Sequence, residues 1–340
     1  MTIQITLLGL SRIGASVGLA LGRQPGQFER TGLDSLTPSA AQAVRMQAVD
    51  RLANDPAESV QQAQVIFLSM PLQHIWQTLQ SIATQVLPET VILDTSPAKV
   101  RVSAWVRELI PVACHYVGVH PGLNPKYALD QDESFTTACA DLFEGGVMAL
   151  AAPAGTPSGA LNLAADLAGV LGAQPFFCDL AEMDGLTAST CLLPQLVSTA
   201  LLNATLGQPG WRDAVKFAGA EYAAATSGIA GREESASLRE AALLNKTDLL
   251  RSLDASLAAL QALRSDIANG QAEALEKKLE AARFGRQDWL KKLRQPGRQA
   301  SASPATEMPQ KGDFLKQQFG FLLKRPAPRS EPPEKKGPAS

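Results

Sequence analysis

Apolar residues fall into two regimes along this chain. Through the first half, short runs with little polar interruption occur at 3–8, 31–33, 65–69, 90–93, 115–119, 146–151 and 175–178. Between them lie stretches with helical spacing, at 13–21, 38–46, 75–86, 99–109 and 159–171. Continuous apolar runs of that length fit strands buried on both faces, and the periodic stretches fit the helices that cover them. Such alternation predicts a mostly parallel sheet with helices on both sides. From about residue 180 the strand-like runs cease. The segments 186–206, 211–226, 235–269 and 273–293 keep a helical period with no strand between them, which predicts an all-helical second domain. After Gln295 the composition turns to Pro, Ser, Lys and Gln, as in a disordered tail. An island of Phe314, Leu315, Phe319, Phe321, Leu322 and Leu323 interrupts it; it reads either as a docking peptide or as a segment folding back onto the helices. The expected organisation is an α/β domain over 1–179, a helical domain over 180–295 and a tail over 296–340.

Composition narrows the function classes. The chain has 340 residues, 45% of them hydrophobic and 19% charged, enough for two domains at about 150 residues each. A formal charge of −2 gives no electrostatic footprint for nucleic acid or an anionic membrane. The four cysteines, Cys114, Cys139, Cys178 and Cys191, are widely spaced without a Cys-x-x-Cys pair. That argues against a disulfide framework or a zinc site and fits a reducing cytosol. The apolar N-terminus lacks a basic leader and runs straight into a glycine turn, so it reads as a buried strand rather than a signal peptide. No run of about 18 uncharged apolar residues suggests a membrane span. The expected compartment is the cytoplasm. Long alanine-rich helices of the kind predicted after residue 180 often pack on a partner subunit, so a homodimer through the helical domain is expected.

The most informative short segment is Gly9-Leu10-Ser11-Arg12-Ile13-Gly14, placed where the first strand should turn into the first helix. In a dinucleotide turn the first glycine permits the sharp bend, the second admits the pyrophosphate, and the third lets helix and strand pack closely. The helix N-terminus then presents N–H groups and a positive dipole end to the phosphates. Here Ser11 replaces the second glycine, so its Cβ should push the pyrophosphate slightly outward. Asp34 follows Gly14 at the end of the second predicted strand, where a carboxylate accepts from ribose hydroxyls and repels a 2′-phosphate, favouring NAD over NADP. Gly9, Ser11, Arg12, Ile13, Gly14 and Asp34, with Ser69 and Pro71 at the end of the third strand, are the expected cofactor contacts of a Rossmann-type sheet.

Two further segments end predicted strands: Asp94-Thr95-Ser96-Pro97-Ala98-Lys99 and Gly118-Val119-His120-Pro121-Gly122-Leu123-Asn124-Pro125. Ligands of open α/β sheets bind beyond the carboxyl ends of strands, which points Ser96 and His120 at the site. Histidine titrates near neutrality and can take a proton from a substrate hydroxyl while a hydride leaves. Ser96 could orient its imidazole. His115 reads as structural, and His74 as a surface or cofactor-adjacent residue.

Taken in order, these segments resemble the prephenate/arogenate dehydrogenases, which carry out the NAD(P)-dependent oxidative decarboxylation leading to tyrosine. The resemblance rests on Gly14-Ala15-Ser16 against the family's Gly-x-Ser, on Asp94, Ser96 and Lys99 against Asp-x-x-Ser-x-Lys, and on Gly118-Val119-His120-Pro121 against Gly-x-His-Pro. It continues through Asp184, Leu193-Pro194-Gln195, Trp211-Arg212-Asp213-Ala214-Val215-Lys216 and Asn245. It implies His120 as the base on the ring hydroxyl, Ser96 as its positioner, hydride transfer to NAD, and a small carboxylate substrate. Arg212, Lys216, Asn124 and Lys126 are the implied substrate contacts. The chain departs from the family at several points. Lys216 stands where the family has a carboxylate-binding arginine, keeping the charge but losing the bidentate fork. Met183 and Leu192 stand where the family has histidines, and Lys126 falls in a segment where it has an acid.

Two other readings stay open at this point. A β-hydroxyacid dehydrogenase joins the same kind of sheet to helices, but uses a lysine and an asparagine one turn apart on a helix, whereas Asn245 and Lys246 are adjacent. A non-catalytic NAD-binding protein would keep the turn and lose substrate residues.

Overall fold

The computed structural model describes residues 2–35, 37–130, 134–229 and 235–294. The expected tail at 296–340 and its Phe/Leu island lie outside the described residues. The α/β half begins β1 Ile3–Leu8, α1 Arg12–Gly22, β2 Phe28–Leu33, α2 Thr37–Arg45, β3 Arg51–Leu52 and α3 Pro56–Val60. It continues β4 Val65–Leu68, α4 Leu72–Ile82, β5 Val91–Asp94, α5 Lys99–Leu109 and β6 His115–Pro121. After a long connection come β7 Val147–Ala151, α6 Ser158–Val170 and β8 Gln174–Phe177.

These strands form one sheet in the order β3-β2-β1-β4-β5-β6-β7-β8. All neighbours are parallel except β6 and β7. The edge pair β3 and α3 is absent from the sequence reading, because a two-residue strand carries no periodicity. Chain connectivity reverses at β1, with β2 on one side and β4 on the other. This is the topological switch point at which such sheets bind ligands. The register sets Leu8 beside Leu68, Leu68 beside Asp94, and Asp94 beside Gly118. The turn after β1, the end of β4, the turn after β5 and the end of β6 therefore line one edge of the sheet.

Both faces are covered, as continuous apolar strands require. On one face Ile5, Leu7, Phe67, Leu93 and Val117 pack with α1, α6 and the connection after β6, which contributes Ala138, Leu142 and Phe143. On the other, Leu8, Ile66, Leu68 and Ile92 pack with α4 and α5. That second core extends to Ala188, Leu192, Ala241 and Leu249 of the helical region. The helices after the sheet thus dock on the α4–α5 side, and Ser237 accepts a hydrogen bond from the Leu72 N–H at 3.2 Å.

The helical region comprises α7 Leu180–Thr187, a π-helical turn Ala188–Leu192, α8 Leu193–Leu206, α9 Trp211–Ala214 and α10 Ala220–Thr226. It continues with α11 Ser235–Leu244, α12 Lys246–Ala268 and α13 Ala272–Leu293. Two expected helices are broken. The segment 211–226 splits before Gly219, and 235–269 splits at Asn245, whose backbone leaves helical geometry. Against the expectation that no such run occurs, Leu180–Leu206 is a stretch among the described residues long and apolar enough to cross a membrane by length and composition. It carries Glu182 and Asp184, and it buries Met183, Asp184, Thr187, Ala188 and Leu192 against the sheet domain.

Candidate active site

The turn after β1 is built on two glycines that no other residue replaces. Gly9 has φ +96°, and a Cβ there would lie 2.2 Å from the Ser69 carbonyl oxygen. A Cβ on Gly14 would lie 2.0 Å from the Gly9 carbonyl oxygen. Ser69, expected as a cofactor contact, is buried and forms the floor of this turn through its backbone; Pro71 is exposed at the start of α4. Ser11 occupies the N-cap of α1, is exposed, and its hydroxyl caps no helix N–H. The first-turn N–H groups of a helix have no intrahelical partner, so this end of α1 suits an anion. Asp34 closes the other side: its Oδ2 accepts the Leu10 N–H at 2.6 Å. A carboxylate can accept several hydrogen bonds, and a ribose hydroxyl is a donor of the kind it takes. The cradle of Gly9, Ser11, Gly14 and Asp34 therefore fits a dinucleotide.

The turn after β5 contains a buried ionic cluster. Asp94 is fully buried. Its Oδ1 accepts the Ser96 N–H at 2.8 Å, while its Oδ2 accepts the Ser96 hydroxyl at 2.7 Å and the Tyr116 hydroxyl at 2.8 Å. Lys99 is also fully buried and donates from Nζ to the carbonyl oxygens of Asp94 at 2.7 Å and Ser96 at 2.5 Å. Its ammonium stands 3.8 Å from Asp94 Oδ2. Burial favours the neutral amine and lowers the Lys99 pKa, against the opposing pull of Asp94 and Asp184. Tyr116 is held well above its ordinary value, by burial first and by Asp94 next.

The helical region closes this cluster from above. Asp184 on α7 accepts the N–H groups of Lys99 at 2.6 Å and Val100 at 3.0 Å. It takes the place of a local N-cap for α5, where Ala98 has no capping side chain. A carboxylate at a helix N-terminus satisfies otherwise orphaned donors and complements the dipole. Burial raises the Asp184 pKa, and these hydrogen bonds oppose the rise. Asn245 in turn donates to the Asp184 carbonyl at 2.8 Å and is itself buried.

His120 lies near the end of β6, partly buried. Its pKa is lowered to about 4, by burial first and by the Lys99 charge second. At neutral pH the imidazole is therefore uncharged and able to accept a proton. Gly118, two residues earlier on the same face, gives the Lys99 stem its room: a Cβ there would meet Lys99 Cδ at 3.0 Å. The glycine of Gly-Val-His-Pro is thus explained by the buried lysine beside it.

Several expected site residues have other roles in the structure. Ser96 does not hydrogen-bond His120; its hydroxyl is turned back to Asp94 by the tight bend after β5. Counted from Asp94, the serine of the family's Asp-x-x-Ser-x-Lys falls on Pro97, which has no hydroxyl, while the lysine falls on Lys99. Asn124 shapes its own loop, donating to the Asp141 carbonyl and accepting from the Lys126 N–H, each at 3.0 Å. Lys126 is exposed and donates to the Tyr127 hydroxyl at 2.9 Å. Arg212 and Lys216 are exposed on and just after α9, with Lys216 paired to Asp213 at 2.7 Å. Among the described residues no hydrogen bond joins either to the His120 cluster. Asn245 points to Asp184 while Lys246 is exposed, so the two do not form a lysine–asparagine pair on one face.

The sequence reading missed Asp94, Tyr116, Asp184 and Asn245 as one buried group around Lys99. An Asp ending an apolar strand and a Lys five residues on were its visible signals; their convergence with Asp184 is a tertiary event.

Comparison with known proteins agrees with this fold. Residues 17–175 match the family model described as prephenate dehydrogenase, nucleotide-binding domain. The chain is 25% identical to the prephenate dehydrogenase of Bacillus subtilis over 305 residues, covering 88% of this chain and 78% of that one. It is 32% identical over 204 residues to the probable prephenate dehydrogenase NovF of Streptomyces niveus, a match spanning half of that protein. Among solved structures, the prephenate dehydrogenase of A. aeolicus, in complex with hydroxyphenyl propionate and NAD+, superposes with a TM-score of 0.74 at 18% identity. That superposition covers 85% of this chain and 98% of the other. The Synechocystis arogenate dehydrogenase gives 0.66 at 24% identity, covering 84% and 100%. At these identities the structures establish the shared fold. Over residues 17–175 the chain is similar to the nucleotide-binding domain of prephenate dehydrogenases, and over most of its length it is similar to the Bacillus subtilis enzyme.

Proposed function

We propose that the chain is an NAD-dependent dehydrogenase acting on prephenate or arogenate, with His120 as its proton acceptor. The observation that carries this reading is the placement of an uncharged His120 on the strand-end edge that also bears the Gly9 turn. NAD would supply the hydride acceptor. His120 takes the proton of the substrate's ring hydroxyl as the carbon beneath it is oxidised; the resulting ring ketone draws electrons from the departing carboxylate, and aromatisation drives that loss. The chain's task is then orientation and one proton acceptor. Burial keeps the acceptor unprotonated and the Lys99 charge adds to it, while Asp184 holds the α5 end that carries Lys99. Asp34 favours NAD over NADP, since its carboxylate opposes a 2′-phosphate.

A homodimer through the helices belongs to the same reading. α12 and α13 leave Leu257, Leu260, Ile267, Leu279, Phe284 and Trp289 at least half exposed. Exposed apolar side chains in that number are expected against another protein surface, and a second copy is the occupant proposed. Light scattering should give twice the chain mass.

The turned-away Ser96, Pro97 in the place of the family's serine, and Met183 and Leu192 favour one competing reading, a non-catalytic NAD-binding protein. Incubation with NAD and, in turn, prephenate and arogenate separates the two, followed through the absorbance of the reduced cofactor. Turnover of either substrate supports the enzyme. NAD binding with turnover of neither supports the competitor.

A further inference from the structure

Arg12 is the residue of the Gly9 turn that the cofactor reading leaves with work unexplained. It sits at the first position of α1 with its side chain only 3% exposed, although it carries a permanent charge. Its Nη2 lies 3.2 Å from Asp130 Oδ2, and Asp130 is half-exposed at 48%. Its guanidinium stands 6.0 Å from the centre of the Tyr127 ring, within cation–π range. Both partners belong to the connection that begins just after His120.

That connection is fastened to α1 at a second point and braced within itself. The Cys139 N–H donates to the buried Ser16 hydroxyl at 3.0 Å. Tyr127 donates from its hydroxyl to the Asp141 carboxylate at 3.0 Å, and the Asn124 N–H bonds the Leu142 carbonyl at 2.7 Å. Residues 122–130 and 134–142 of this connection are therefore braced against α1, and Arg12 holds the Tyr127–Asp130 part to the cofactor turn.

We propose that Arg12 links the cofactor turn to the segment after His120, with Asp130 and the cofactor's phosphates competing for its guanidinium. The inference rests on the dinucleotide reading above. An anion at the start of α1 meets the same cation that Asp130 neutralises. Occupancy of the turn then loosens the hold on Tyr127 and Asp130, and by reciprocity a loosened segment favours the phosphates. The cofactor thereby influences the segment that follows β6 without touching it.

The test is calorimetric titration of the full-length protein with ADP-ribose, which has the pyrophosphate, and with adenosine, which lacks it. Asp130→Asn removes the competing charge from a half-exposed position, and a cooperative melting transition confirms its fold. It should bind ADP-ribose about two- to fivefold more tightly than the wild type, a modest gain because the Asp130 side of the pair is half-exposed and screened. Adenosine affinity should not change, and Asp130→Glu should restore wild-type behaviour toward ADP-ribose. Equal or weaker ADP-ribose binding by Asp130→Asn, or an equal gain for adenosine, overturns the link and leaves the dinucleotide reading standing. A wild type that binds no ADP-ribose overturns both.

Discussion

Lowering the pH should unfold this protein partly through one imidazole. In the folded chain the His120 pKa is about 4, against 6.5 for a solvated histidine, because burial and the Lys99 charge both disfavour its protonated form. The folded value lies below the unfolded one. Between them the unfolded chain holds a proton that the folded chain refuses, so stability is fully present above about pH 6.5 and falls as pH drops through this window. At 1.36 kcal/mol per pH unit, the loss between pH 7 and pH 4 comes to about 3 kcal/mol from this group alone. That is a large share of the ~5–15 kcal/mol typical of a folded domain. Denaturant unfolding of the wild type and of His120→Asn across pH 4 to 7 isolates it, since the variant keeps every other titrating group. The two stability curves should converge as pH falls, with the wild type losing about 3 kcal/mol more. Parallel curves would refute the claim that His120 is held uncharged, and with it the reason offered for its action as a base.

Three other outcomes follow from the same geometry. Lys99→Met removes the like charge beside His120, so nuclear magnetic resonance titration should show the imidazole pKa rising toward 6.5; with Asp94 left buried without its cation, the variant should lose about 3–5 kcal/mol in denaturant unfolding. Gly9→Ala places a Cβ 2.2 Å from the Ser69 oxygen at φ +96° and should abolish NAD binding in calorimetry, with a lower melting temperature. Asp34→Ala should weaken NAD about tenfold and NADP far less, as read by the quenching of protein fluorescence; equal losses would remove the assigned cofactor preference.

How much of this was legible in the sequence depended on how local the cause was. β1, the Gly9 turn and α1 were readable because the strand is a short, mostly apolar run ending at a glycine and the glycines are imposed by contacts within the turn and at its neighbour Ser69. His120 was readable because few residues can accept a proton at neutral pH and this one ends a strand. The direction of Ser96 was not, because it depends on whether the backbone after β5 bends the hydroxyl toward Asp94 or toward β6, and spacing alone does not decide that. Lys99 was matched by type but not by role. A lysine starting a helix suggests a solvated cation, and only the convergence of β5, β6 and α7 makes it a buried one. The break between α9 and α10 escaped because Phe217 and Ala218 continue an apolar period, while the chain leaves the helix ahead of Gly219.

His120 is proposed to accept the substrate proton in an NAD-linked oxidation. Steady-state turnover of prephenate and arogenate by the wild type and by His120→Asn, at saturating NAD, tests it most directly. The account predicts formation of reduced cofactor with one of the two substrates, and a fall in kcat of about a hundredfold or more in the variant with NAD affinity unchanged. Comparable kcat in the two proteins would contradict it.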